Sequence, residues 1–216
     1  MRSAERAVHH PIYLFRHGET VWNAEKRAQG HLDSPLTEVG RAQARAMGRA
    51  LAQELARAGH SPATVVVRAS PLGRVRETLA LAAAEAGLVH DDSCHDHRLL
   101  EVSWGDWDGL SGPEIEARFP GQMAARLLDR WNYLPPNGEN YLLASERARL
   151  ALDDILRLAS DRPVAVFAHG AIGRVLRGLF LGTPQADIMA MDQPQDAFYR
   201  LHGGAAHRLG LEKHGR

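Results

Sequence analysis

The chain has 216 residues, which suits one domain of ordinary size or two small ones. A composition of 44% hydrophobic and 24% charged residues is that of a globular protein, excluding disordered, collagen-like and disulfide-stapled classes. Lys+Arg and Asp+Glu both total 26, and zero net charge argues against a surface built to hold nucleic acid.

Cys94 is the only cysteine, so no intrachain disulfide forms. The residues Met1–His10 are charged and lack an apolar signal-like core, and no apolar run approaches membrane-spanning length. The expectation is a cytoplasmic protein without a membrane partner, folded as a single domain over 1–216 with a tail at 1–10.

In chain order, Pro11–Phe15 is an apolar run that predicts a buried strand. A helix follows from an N-cap at Thr37, with Val39, Ala42, Ala46, Ala50, Leu51 and Leu55 on its apolar side and Gly59 as its stop. Thr64–Arg68 predicts the second strand. Ser70 as N-cap and Pro71 as first helical residue then open a helix to about Ala86.

From Ser103 to Tyr141, nine Gly and Pro residues and five Trp and Tyr residues interrupt the pattern. The segment predicts a lid-like excursion over 103–141, or alternatively a satellite core, with short helices at Pro113–Arg118 and Gln122–Arg130. Helix Ala144–Ala159, strand Pro163–Ala168 and helix Gly170–Leu181 come next. Strands Phe198–His202 and Ala206–Leu211, joined by a turn at Gly203-Gly204, close the sheet. This alternation predicts an α/β fold, a three-layer sandwich whose mainly parallel central sheet is flanked by helices.

In such a sheet ligands gather beyond the carboxyl ends of the strands. The first run ends in Arg16-His17, the second leads to Arg74 one turn into a helix, and the third ends in His169-Gly170. Two arginines and two histidines from distant segments thus meet at one edge, a set suited to phosphoryl chemistry. Guanidinium forks bind phosphate, and their charge keeps a neighbouring imidazole neutral and nucleophilic. His169 and a backbone N–H after Gly170 are further donors to phosphate oxygens. Glu101, just before the excursion, is placed to act as acid and then base.

His95-Asp96-His97 and His9-His10 lack a second ligand pair, so they predict a surface loop and a tail; no metal and no cofactor are expected.

The sequence resembles the histidine phosphatase superfamily in its phosphoglycerate-mutase-like branch. The likeness is carried by Arg16-His17-Gly18-Glu19-Thr20, Trp22-Asn23, Gln29-Gly30, Asp33, Pro35-Leu36-Thr37, Gly40, Ser70-Pro71-Leu72 with Arg74 and Thr78, Leu100-Glu101 with Gly105, Trp107 and Gly109, and His169-Gly170. The resemblance implies His17 as the residue phosphorylated in turnover and Glu101 as proton donor. It implies Arg16, Arg74 and His169 around the phosphate, with Asn23 and Gln29 as further contacts. Asp108, Ala171 and Asn140 depart from the family pattern without removing a charged catalytic group. It also implies a small phosphorylated metabolite as substrate, and relatives' habits allow a homodimer. The expected activity is metal-independent phosphomonoester hydrolysis through phosphohistidine. The alternatives are a phosphomutase using the same intermediate, with Arg126 and Arg130 on an acidic substrate, and a phospho-ligand-binding pseudoenzyme.

Overall fold

The computed structural model describes residues 9–211. Its strands are β1 (Ile12–Arg16), β2 (Val66–Ala69), β3 (Val164–Ala168), β4 (Ala197–His202) and β5 (Ala205–Gly210). The helices are α1 (Val21–Ala24), α2 (Glu38–Arg57), α3 (Gly73–Ala86), α4 (Gly112–Arg118), α5 (Gln122–Leu128), α6 (Tyr141–Leu158), α7 (Gly170–Leu181) and α8 (Gln185–Ala190). The sheet runs β2-β3-β1-β4-β5, with the first three strands parallel and the β4–β5 hairpin antiparallel. It is a mixed sheet, mostly parallel where the site forms.

Successive residues of a strand face opposite sides, and β1 is apolar on both. Ile12 and Leu14 pack with Ala148, Leu152, Ile172 and Val175 of α6 and α7. Tyr13 and Phe15 pack on the other side with Met47, Leu51, Val75 and Leu79 of α2 and α3. Helices on both faces make the three layers. No helix among the described residues is long and apolar enough to cross a membrane.

Several boundaries differ from expectation for identifiable reasons. The buried side of α2 is Ala44, Met47, Gly48, Leu51 and Leu55, whereas Val39 is 55% exposed and Ala42 is exposed too. Val39 and Ala42 lie on the solvent side of the helix, whereas Gly40 and Ala44 beside them are buried. Ser70 is not a helix cap: its N–H continues the strand ladder to Phe167 O at 2.9 Å, and α3 starts only at Gly73. The cap is supplied from afar by Asp33, whose carboxylate accepts from the Gly73 and Arg74 N–H groups. Helix α6 starts three residues early because the Asn140 side chain accepts from Leu143 N at 2.9 Å. His10 is anchored, donating its N–H to Ala159 O at 3.0 Å; the rest of the expected tail, 1–8, lies outside the described residues. His95 and Asp96 join two short 3-10 turns, Asp92–Cys94 and His97–Leu99, and are docked on β2, where Asp96 N donates to Ala69 O at 2.8 Å.

The 103–141 excursion is anchored by its own small core. Trp107 is fully buried among Ala28, Leu110 and Ile115, with Trp104, Phe119, Met123 and Tyr133 around it. Trp131 and Tyr141 instead join the main core beside α6. The satellite-core alternative therefore holds for Trp107, while Trp104 and Tyr133 also face a cavity described below.

The loop after β1 is fixed by a backbone contact that only glycine permits. A Cβ on Gly18 would lie 2.2 Å from Gly40 O, and one on Gly40 would lie 2.0 Å from Glu19 O. Thr37 N donates to Glu19 O at 2.9 Å, so the start of α2 is pinned against the residues following His17. Gly40→Ala is expected to cost about 2 kcal/mol in urea unfolding, because the backbone obstacle cannot rotate away. Wild-type stability in that variant would show that the two segments are not wedged.

Candidate active site

The parallel register pairs Arg16 with Ala168, and His17 N donates to Ala168 O at 3.1 Å. His17 and His169 therefore meet across two strand ends, with ring centroids 5.3 Å apart. Both are buried, but in a polar setting.

Hydrogen bonds fix the tautomers of both rings. His17 Nδ1 lies 2.8 Å from Gly18 O; a carbonyl only accepts, so Nδ1 carries the proton and Nε2 keeps its lone pair. Arg74 Nε donates to His169 Nδ1 at 3.2 Å, which makes Nδ1 the acceptor. His169 Nε2–H then donates to Ser70 Oγ at 2.7 Å. Burial first, then the Arg74 and Arg16 charges, hold His17 well below its usual pKa of 6.5. Burial, Arg74, His17 and Arg16 do the same to His169. Both imidazoles are neutral at neutral pH.

Arg74 is not the free fork that the sequence implied. It donates to His169, to Leu32 O (3.0 Å), to Asp33 Oδ1 (2.8 Å) and to Gly30 O (2.6 Å). A guanidinium has five N–H groups, so one is left over. The residues 30–32 that grip it are themselves held by Asp108, whose carboxylate accepts from the Gly30, His31 and Leu32 N–H groups. The family departure at Asp108 thus keeps a carboxylate that supports Arg74 through one loop.

Glu101 is buried at the start of α7, and its oxygens accept from Ala171 N (3.0 Å), Ile172 N (3.0 Å) and Val102 N (2.9 Å). The first-turn N–H groups of α7 that were expected to meet phosphate are therefore taken by Glu101. Gly170 serves packing: a Cβ there would meet the Gln193 side chain and lie 3.3 Å from Arg16 Nε.

These groups adjoin a cavity of about 220 Å³, lined by Arg16, His17, Asn23, Gln29 and Glu101 on one side. Trp104, Tyr133, Tyr141, Arg126, Arg130 and Arg174 line the remainder. Arg74, His169 and Gly170 do not line it themselves. Gln29 Oε1 accepts from Thr20 Oγ1 (2.9 Å) and Asn23 Nδ2 (3.3 Å), leaving Gln29 Nε2 buried without a partner. Arg16 donates through Nη1 to Gln193 O at 2.5 Å and keeps a buried, unpartnered Nε. Unmet donors therefore lie beside an imidazole nitrogen that carries no proton. Among the described residues, no cluster of His, Cys, Asp or Glu is placed to hold a metal ion.

The chain belongs to the histidine phosphatase superfamily, branch 1, whose model matches residues 12–208. It is 32% identical over 181 residues to the glucosyl-3-phosphoglycerate phosphatase of Mycolicibacterium vanbaalenii, covering 80% of this chain and 75% of that one. It is 34% identical over 173 residues to a probable phosphoglycerate mutase of Erwinia tasmaniensis, with the same coverage of 80% and 75%. The solved structure of a mycobacterial glucosyl-3-phosphoglycerate phosphatase with VO3 matches at a TM-score of 0.73 and 28% identity, covering 94% of this chain and 98% of that one.

Sequence reasoning missed Ser70 as the partner of His169, and Arg174. Both had signals. Ser70 follows a strand that neighbours the one leading to His169, and Arg174 lies one turn into the helix after His169.

The depressed histidines make stability depend on pH with a definite sign. Below 6.5 the unfolded chain takes up protons that native His17 and His169 refuse, so stability falls as pH falls. Urea unfolding is expected to weaken by up to about 1.4 kcal/mol per pH unit per ring in this window. The slope should flatten in a His17→Asn, His169→Asn double variant. An equal slope in that variant would place the effect elsewhere.

Proposed function

We propose that the protein is a phosphomonoesterase that works through a phosphohistidine on His17. The observation that carries this reading is the His17 tautomer: a neutral ring with Nδ1–H spent on Gly18 O and Nε2 bare, at a cavity with unmet N–H donors. The substrate phosphate binds Arg16 and Gln29, with Asn23 alongside. Nε2 attacks phosphorus as the ester P–O bond breaks, and Glu101 gives a proton to the departing oxygen. Water then attacks the phosphohistidine while Glu101 takes its proton, and the N–P bond breaks to restore the imidazole. Arg74, with its charge and its remaining N–H, and the His169 Nε2–H shared with Ser70 oppose the charge that collects on the phosphoryl oxygens.

Relatives that bear phosphatase names support hydrolysis, and others are named as probable phosphoglycerate mutases. The substrate on this reading is a small phosphorylated metabolite. A cytoplasmic setting fits a chain whose one cysteine, Cys94, is buried and unpaired.

Incubation with a ³²P-labelled phosphate ester and rapid acid-free quenching is expected to label the wild type at His17. His17→Asn should lose the label and at least about a thousandfold in phosphate release. Undiminished phosphate release by that variant would refute the nucleophile. Isomerisation outrunning phosphate release would favour the mutase.

A further inference from the structure

Gln29 serves a phosphate only with its amide turned one way. An Asn or Gln side chain has a donor at one end and an acceptor at the other, and its shape fits either way round. With Nε2 toward the cavity, Gln29 donates to an anion; with Oε1 there, it repels one. Whatever selects between them determines whether Gln29 helps or hinders. Thr20 does not: its Oγ1 lies 2.9 Å from Gln29 Oε1, but a hydroxyl donates or accepts and satisfies either end. Asn23 does, because its Nδ2 only donates and meets Gln29 Oε1 at 3.3 Å. Gln29 thus takes its direction from Asn23.

Two groups direct Asn23. The Thr20 N–H donates to its Oδ1 at a long 3.3 Å, as part of the cap of α1. Gln195 Nε2 donates to the same oxygen at 2.9 Å. The main chain settles the direction of Gln195 in turn, since its Nε2 also lies 3.3 Å from His17 O, and a carbonyl only accepts. The hydrogen bonds therefore run one way, from Gln195 through Asn23 to Gln29. They leave Gln29 Nε2 buried and without a partner among the described residues.

Topology brings Gln195 to this place from the far end of the chain. β4 runs antiparallel to β1, so the residues that lead into β4 pass those that leave β1. Gln193 O accepts from Arg16 Nη1 at 2.5 Å, and two residues on Gln195 donates to His17 O, so this segment grips both residues. Gln195 is half-buried and does not line the cavity, whereas Asn23 and Gln29 do.

We propose that Gln195 is a positioning residue: it fixes the polarity of the Asn23 and Gln29 amides, so that Gln29 presents an N–H rather than an oxygen to the phosphate. This rests on the reading of the cavity as the phosphate site of a phosphatase. A donor already turned toward the anion pays no reorientation when the anion arrives. Gln195 touches no reacting atom, and its effect reaches the substrate only through Gln29. That dependence separates it from a residue that merely holds the loop together.

The test is a double-mutant cycle of Gln195→Met, Gln29→Met and the two combined, which keep side-chain length and remove the amides. It is read as kcat/KM on p-nitrophenyl phosphate and as the dissociation constant of inorganic phosphate by calorimetry. Gln29→Met is expected to weaken both by about tenfold or more, the scale of one hydrogen bond to a charged group. Gln195→Met should weaken both by about threefold or more, and should add no further loss once Gln29 has been replaced. Losses that multiply in the double variant would overturn the proposal, as a merely structural role of Gln195. Unchanged phosphate affinity in Gln195→Met would overturn it too. A wild type that binds phosphate but hydrolyses no ester would remove the phosphatase, while a non-additive cycle in phosphate affinity would still uphold the role of Gln195. A wild type that does neither would remove both.

Discussion

A fully buried guanidinium organises the site. Arg74 donates to His169, to two carbonyls of the 30–32 loop and to Asp33, and so ties α3, that loop and the end of β3 into one unit. Such a cation is tolerable away from water only because acceptors surround it. Its charge in turn disfavours a proton on either nearby imidazole. The same side chain therefore fixes geometry and sets protonation.

The support extends outward in layers. Asp108 holds the loop whose carbonyls hold Arg74. Arg147 donates to the carbonyls of Arg98, Leu100 and Glu101 while Glu139 neutralises it, fixing the backbone that presents Glu101. Glu101 then closes the start of α7. Each reacting group is thus positioned by residues from another segment of the chain, which is what lets short motifs scattered over some 155 residues act as one site.

Much of this was legible in the sequence, and for a physical reason. A β-strand buried on both faces reads as an apolar run, and in parallel sheets the residues that end such runs meet at one edge; Arg16, His17 and His169 were placed that way. Two helices begin elsewhere than expected, α3 at Gly73 and α6 at Tyr141. Asp33 caps α3 from 40 residues away, and no local pattern encodes a cap that arrives through tertiary structure. The engagement of Arg74 was hidden for the same cause, since three of its four acceptors, Gly30 O, Leu32 O and the Asp33 carboxylate, sit in a loop with no regular structure. Ser70 reads as a helix cap rather than as a partner of His169, and Arg174 is not singled out although it stands in the helix that follows His169.

The 103–141 segment and the core line the cavity with different side chains. Around His17 the donors are neutral amides and a guanidinium aimed at one group, while toward the lid the cavity turns aromatic and cationic.

Everything turns on which nitrogen of His17 is bare. Nitrogen-15 NMR of the histidine rings near neutral pH reads this directly. A neutral His17 with a protonated Nδ1 and an unprotonated Nε2, persisting below pH 6.5, is the result required by the Gly18 carbonyl and the two arginines. A His17 that is doubly protonated near neutrality, or neutral with its proton on Nε2, would contradict the assignment of the nucleophile.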